Sequence, residues 1–392
     1  MGPERWQKIE QLYHSALEIE TCQRGAYLAI ACGGDEELRE EVESLLVRAE
    51  RGTNFLETPA MALAAKAIVG AGGDRVIPAA IGRYRVVRLV GEGGMGVVYE
   101  AEQDQPRRVV ALKVIKPGLA TAETLWRFQD ESQALGRLQH PGIAQVYEAG
   151  TAETGFGPQP YFAMELIRGL PLHEYAVAHK LTALDRLALM AKICDAAEHA
   201  HQHRVIHRDL KPGNILVDET GQPKILDFGV ARLTESDAQY TRQTELGQLV
   251  GTLAYMSPEQ VAGDPLALDA RSDIYALGVI LYELLSEKLP YDISRKPLPE
   301  AIEVIRQEEP APLSSINRSY RGDIETIAAK ALEKDKGRRY GSAAELAADI
   351  RRYLADEPVT ARPASATYQL QKFARRHKLW SLGLRWSSQC SL

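Results

Sequence analysis

Apolar residues recur at two different periods along the chain, and the change of period divides it. Near the N-terminus Trp6, Ile9, Leu12 and Tyr13 recur at helical spacing, as do Leu38, Val42, Leu45 and Leu46. Residues 3 to about 50 are therefore predicted as short amphipathic helices, within a helical appendage spanning 1–66. Asp35, just ahead of EELREEVESLL, is placed to cap the later helix, and Glu36 and Glu37 suit the positive end of its dipole. The stretch AIVGAGGDRVIPAAIG, 67–82, is rich in Gly and Ala and keeps no period, which predicts a linker. Nothing in the appendage carries chemistry.

From Arg83 the texture changes. YRVVRLV, VVYEAE and VVALKVI are short and rich in β-branched residues, as strands are, whereas helical patterns dominate after about Leu170. Strands first and helices later describe an α+β protein with a small β-rich lobe followed by a larger helical one. No internal repeat or low-complexity tract interrupts it.

Composition narrows the class. The 392 residues are 45% hydrophobic and 26% charged, ordinary for a globular protein and against wholesale disorder. Forty-seven basic against 53 acidic residues give a net charge of −6, so nothing in the overall charge calls for nucleic acid or a membrane surface. Cys22, Cys32, Cys194 and Cys390 lack C-x-x-C spacing, which disfavours a zinc site or disulfide framework and suggests a reducing, cytoplasmic setting. The N-terminus MGPERWQKIEQ has no signal-peptide core, and no stretch reaches about 18 uninterrupted apolar residues, so no membrane span is expected.

Candidate chemistry begins with GEGGMGVVYEAE. Gly91, Gly93 and Gly96 fit a G-x-G-x-x-G phosphate cradle, a spacing shared by dinucleotide-binding folds and protein kinases. In a dinucleotide fold the third glycine opens a helix; here Gly96 leads into VVYEAE and then into VVALKVI, so the glycines cap a hairpin. Bare glycines let backbone N–H groups approach phosphates, and Val98 can pack over an adenine ring. Lys113, in an apolar strand, needs a partner. Glu131 lies on the same helical face as Leu125, Phe128, Leu135 and Leu138 and is the candidate: an inward Lys facing an inward Glu reads as an ion pair holding phosphates.

A second cluster is HRDLKPGNILVDETGQPKILDFG, 207–229. Asn214 and Asp227 flank two short apolar strands, 215–217 and 224–226, joined by a turn containing Gly221. Closing that hairpin gathers two hard oxygen donors suited to Mg2+ beside a triphosphate. Asp209, five residues before Asn214, can accept or orient a hydroxyl proton at the transferred phosphoryl group.

With these residues in order, the sequence resembles the bacterial serine/threonine protein kinases related to the eukaryotic ones, over about 83–354. Matching positions are Gly91, Gly93, Gly96, Val98, Lys113, Glu131, His207-Arg208-Asp209, Asn214, Asp227-Phe228-Gly229 and Ser257-Pro258-Glu259. The resemblance implies a two-lobed kinase fold and transfer of the ATP γ-phosphoryl group, with Mg2+, to Ser or Thr of proteins. It implies that Val90, Ala111, Met164, Glu165, Ile167 and Leu216 join the glycines, Val98 and Lys113 around the nucleotide. Glu259 is expected to pair with Arg339, and Asp273 to brace the catalytic loop. Lys211 and Thr252 match the serine/threonine pattern, as a cation near the transferring phosphate and a hydroxyl bonded to the catalytic loop.

Further expectations rest on that resemblance. Thr244, with Thr241 next, is the expected activating phosphosite, facing a phosphate pocket of Arg208 and Arg232, and self-association could serve autophosphorylation. Residues 355–392 form a basic tail. Family members often continue after a segment like QKFARRHK into a membrane span and sensor, whereas this sequence reads LWSLGLRWSSQCSL. A catalytically dead scaffold would have lost Lys113, Asp209 or Asp227. A small-molecule phosphotransferase would not need Lys211, Gly251-Thr252 and Ser257-Pro258-Glu259, which shape a peptide-binding surface.

Overall fold

The computed structural model describes residues 27–28, 31–32, 35, 38–39, 78–93, 96–116, 135–154, 157–228, 252–263, 267–294 and 296–362. The chain divides into two compact units, Met1–Thr58 and Pro59–Leu392. In the first, Asp35 acts as the cap its sequence suggests. Its Oδ1 accepts from the Leu38 N–H at 3.0 Å, and Leu28, Cys32 and Leu38 are buried.

The second unit opens with strands β1 (Ala80–Ile81), β2 (Tyr84–Glu92), β3 (Gly96–Gln103), β4 (Arg108–Ile115), β5 (Val146–Thr154) and β6 (Gly157–Glu165). They form one antiparallel sheet in the order β1-β2-β3-β4-β6-β5. Register sets the chemistry. Val98 lies opposite Lys113, Lys113 opposite Phe162, and Ala111 opposite Met164, and directly opposed residues share a face. That face, with Ile115, joins the main core of the helical lobe. The other face carries Val110, Leu112, Val114, Tyr161 and Ala163 into a separate cluster with Ile81 and Tyr84. Lys113 is thus on the side of the sheet that faces the helices.

Three further strands, β7 (Gly169–Pro171), β8 (Ile215–Asp218) and β9 (Pro223–Ile225), make a second small sheet. The helices are α1 (Leu172–Ala178), α2 (Ala183–Gln202), α3 (Pro258–Val261), α4 (Ala270–Ser286), α5 (Leu298–Gln307), α6 (Leu313–Ile316), α7 (Asp323–Ala331) and α8 (Ala343–Leu354). A capping box between Thr182 and Asp185 starts α2. Helix α4 starts on the Asp269 side chain and is buried nearly all round, so it runs through the lobe rather than over it. Each of Leu277, Ile280 and Leu281 is fully buried there, worth roughly 1.5–3 kcal/mol apiece.

Two segments pack more closely than their sequence texture indicates. Ala80–Ile81, at the end of the stretch read as linker, is a strand paired with β2, and Ile81 is buried. Beyond α8, Val359 is buried, and the Thr360 N–H and hydroxyl and the Ala361 N–H donate to the carboxylate of Asp349. Neither segment is long enough to show a period.

Candidate active site

The glycine turn closes β2 onto β3 through the Gly93 N–H, which donates to the Gly96 carbonyl at 2.8 Å. A Cβ on Gly96 would sit 2.3 Å from the Val114 carbonyl oxygen, so no other residue fits against β4 there. Gly91 pairs with Val98, and Val90 sits at a register shift just before it.

Lys113 is 7% exposed, and its Nζ lies 2.8 Å from Asp227 Oδ2. Burial alone would raise the Asp227 carboxyl. The Lys113 ammonium, aided by His207 and Lys211, outweighs it and holds the group below the ordinary carboxylate value. Glu131, the partner expected for Lys113, falls outside the described residues, as do Gly229, Arg232, Thr241 and Thr244.

The strands flanked by Asn214 and Asp227 pair as β8 and β9, with Ile215 opposite Ile225 and Leu216 opposite Lys224. Their turn needs Gly221 at φ +78°, and Asp218 Oδ1 accepts from the Thr220 and Gln222 N–H groups. The Leu226 N–H donates to the Asn214 carbonyl at 2.8 Å, so Asn214 lies alongside the residue preceding Asp227. The Asn214 side-chain N–H group donates to the Asp209 carbonyl at 2.7 Å and to Asp209 Oδ2 at 3.2 Å. Lys211 Nζ is 3.0 Å from the same Oδ2 and donates to Thr252 Oγ1 at 3.0 Å. Asp209 Oδ1 is buried and has no hydrogen-bond partner. One carboxylate oxygen is fixed by two donors and the other is left to accept.

Backbone scaffolding holds this loop. Asp273, 1% exposed on α4, accepts from the His207 N–H at 2.8 Å and the Arg208 N–H at 2.9 Å, while His201 Nε2 lies 2.8 Å away. Burial would raise the Asp273 carboxyl, but the bond and charge of His201, then His207, lower it. Arg208 takes φ +66° and Asp227 φ +58°, left-handed conformations that cost about 1–3 kcal/mol each and persist only where neighbours enforce them. Gln260 Nε2 donates to the Arg208 carbonyl at 2.6 Å. The Asp209 N–H donates to His207 Nδ1 at 3.3 Å, which places the ring hydrogen on Nε2, 2.8 Å from the Leu226 carbonyl. Nothing in the sequence marks His201 or Gln260 as part of this network.

The structure places the other expected residues as follows. Met164 and Asp227 line a small cavity with Phe162 and Phe228, while Ile167 and Leu216 pack with Ala144. Ala111 is buried beside Met164 in register. Below, Glu259 makes the expected pair with Arg339, accepting two guanidinium hydrogen bonds at 2.7 and 2.8 Å, and accepts from the Ser272 hydroxyl at 2.8 Å. Burial opposes the Glu259 charge, yet Arg339 lowers its carboxyl from the ordinary value. Among the described residues, no group of three His, Cys, Asp or Glu side chains is placed to hold a metal, and no helix is long and apolar enough to cross a membrane.

Comparison with known proteins gives a consistent result. The model of the family "Protein kinase domain" matches residues 84–350. The chain is 38% identical over 280 residues to serine/threonine-protein kinase PknB of Mycobacterium leprae (strain TN), covering 70% of this chain and 44% of that protein. It is 37% identical over 272 residues to serine/threonine-protein kinase PrkC of Bacillus subtilis (strain 168), covering 69% of this chain and 40% of that one. The chain therefore spans less than half the length of these relatives. The crystal structure of the Mycobacterium tuberculosis PknI kinase domain superposes with a TM-score of 0.54 at 26% identity, covering 70% of this chain and 96% of that one.

Proposed function

The chain belongs to the protein kinase domain family, and from that membership we propose that it transfers the ATP γ-phosphoryl group to Ser and Thr hydroxyls of proteins, itself included. The observation that carries this reading is Asp209: Oδ2 is clamped by Asn214 and Lys211, and Oδ1 is buried without a partner. An incoming hydroxyl donates to Oδ1 as its oxygen attacks the γ-phosphorus. The bond from phosphorus to the bridging oxygen breaks, ADP departs, and Asp209 takes the proton. Lys211, bonded to both Asp209 and Thr252, places a positive charge beside the transferring group.

Nucleotide is assigned to the cleft formed by Val90, Gly91, Gly93, Gly96, Val98, Ala111, Met164, Glu165, Ile167 and Leu216, with Lys113 on its phosphates. Mg2+ would be held by Asp227 and by the Asn214 side-chain carbonyl. Asn214 uses its N–H group on Asp209, which leaves that hard oxygen available, and a site with few protein ligands suits this ion. Bound there, it would supply positive charge to offset that of the phosphates. Glu131 is assigned to pair with Lys113 in the nucleotide-bound enzyme, releasing Asp227. The kinase unit is assigned to 83–354 together with the segment through 362 that packs on Asp349, with 1–66 and the rest of the basic tail as interaction elements. ATP as donor favours a cytoplasmic setting.

Phosphorylation of Thr244, or of Thr241, is proposed to raise activity by adding about −1.5 to −2 charge opposite Arg208 and Arg232. The reading is tested by incubating the protein with Mg-ATP and a generic protein substrate, followed by mass spectrometry. Phosphoserine and phosphothreonine on the substrate, with Thr244 or Thr241 modified on the enzyme, are expected. Phosphotyrosine alone, or no incorporation by a folded protein, contradicts it.

A further inference from the structure

The six-stranded sheet and the three-stranded sheet are not joined by strand pairing among the described residues. They are joined by an ion pair. Lys224 Nζ lies 2.9 Å from Glu165 Oε1 and 3.1 Å from Oε2. Lys224 is in β9, three residues before Asp227, and Glu165 is the last residue of β6, directly after Met164. Their side chains are 15% and 29% exposed, so the pair is shielded more than a surface bridge.

Backbone bonds close a ring around it. The Glu165 N–H donates to the Gln145 carbonyl at 2.9 Å, and the Gln145 N–H returns to Glu165 Oε2 at 3.3 Å. A few residues earlier, the Ile225 N–H donates to the Gly142 carbonyl at 2.8 Å and the Ala144 N–H to the Ile225 carbonyl at 2.9 Å. Segment 142–145, strand β9 and the end of β6 therefore bind one another in a circuit. The circuit frames the apolar cluster of Ala144, Ile167 and Leu216. One side of that frame carries Met164, Glu165 and Ile167, assigned above to the nucleotide and taken as its adenine end, and the other leads into Asp227.

We propose that Lys224 and Glu165 are positioning residues that fix the adenine-binding end of β6 relative to the strand carrying Asp227, so that base and phosphate sites are set together. This rests on the reading above that nucleotide binds in this cleft. A merely structural ion pair would change stability and leave nucleotide affinity alone. A tether changes the affinity of both halves of the nucleotide site at temperatures where the protein stays folded.

The test uses the full chain and measures dissociation constants for adenosine and for Mg-ADP by titration calorimetry, beside the melting temperature and the rate of transfer from ATP. Lys224→Met is expected to weaken both ligands about 3- to 10-fold, the range of a partly shielded pair, and Lys224→Arg to restore them. Glu165→Gln, which keeps the lysine, reports the same loss should Lys224→Met fail to fold. A melting temperature that falls while both affinities stay at the wild-type value overturns the tether, as does a rise in transfer rate with affinities unchanged. Wild-type protein that binds adenosine yet phosphorylates no protein overturns the kinase reading and leaves the tether standing.

Discussion

Replacing Asp273 by Asn keeps the size of the side chain and removes its charge, so it isolates what the carboxylate does for the catalytic loop. Asp273 Oδ1 accepts from the Arg208 N–H, and Oδ2 accepts from the His207 N–H and faces His201 Nε2. An amide can supply one oxygen. Its NH2 then meets an N–H donor, leaving at least one buried group without an acceptor at about 1–3 kcal/mol, and the surviving bond loses its charge assistance. A total near 2–4 kcal/mol follows, which lowers the melting temperature by roughly 2–4 °C for each kcal/mol in a unit of this size. The same bonds hold Arg208 at φ +66°, one residue before Asp209. Released, Arg208 relaxes and Asp209 shifts, and a displacement near 1 Å costs about 10²-fold in rate. Calorimetric melting, nucleotide affinity and single-turnover transfer to a protein substrate are measured together. Transfer is expected to fall far more than nucleotide affinity, because the glycine turn and Lys113 are untouched. A folded Asp273→Asn protein with wild-type transfer would falsify the bracing role. The pH dependence has a definite sign: a carboxyl lowered in the folded state stabilises above its ordinary value of 3.8 and loses that contribution as pH falls through the lowered value. The acid limb of the wild-type melting curve is therefore steeper than that of the variant.

Glu259→Gln strips the charge facing Arg339, whose side chain is fully buried, and is expected to cost about 3–5 kcal/mol at pH 7 in denaturant melts. Since Arg339 lowers the Glu259 carboxyl, the difference from wild type shrinks as pH drops below 4.5. Lys334 has the opposite sense: burial, with the Arg339 charge nearby, pulls it down to about 8, so wild type gains stability relative to Lys334→Met between pH 8 and 10. Ending the chain at 354 instead of 362 removes three donors from the fully buried Asp349 carboxylate and is expected to destabilise the unit by about 2–4 kcal/mol in urea. Equal midpoints for the two lengths would place the boundary at α8.

The local geometry of the loop proposed as catalytic was legible because its spacing carries it. A separation of five residues from Asp209 to Asn214, and a hairpin between Asn214 and Asp227, need only local chain to bring these groups together. The glycine turn and strands β2, β3 and β4 show for the same reason, since β-branched runs separated by short turns pair with their neighbours. Strands β5 and β6 are harder to see. GPQPYFAME carries two prolines that argue against a strand, yet both fall near its start, and the pairing of β6 with β4 spans a long intervening segment. Asp273 and its His201 contact bridge elements about 70 residues apart, and no period in either helix indicates which face meets the other. Lys224 reads as an ordinary surface charge in PKIL until Glu165, 59 residues earlier, is seen beside it.

Single-turnover transfer of the ATP γ-phosphoryl group to a serine- or threonine-bearing protein, compared between wild type and Asp209→Asn with Mg-ADP affinity measured on both, bears most directly on the proposed chemistry. Asn keeps the contacts of Oδ2 with its clamp but cannot take up the hydroxyl proton. The rate is expected to fall by about 10²–10⁴-fold with Mg-ADP affinity nearly unchanged. An Asp209→Asn protein that binds Mg-ADP normally and transfers at the wild-type rate would contradict the assignment of Asp209, and with it the reaction built around its free oxygen.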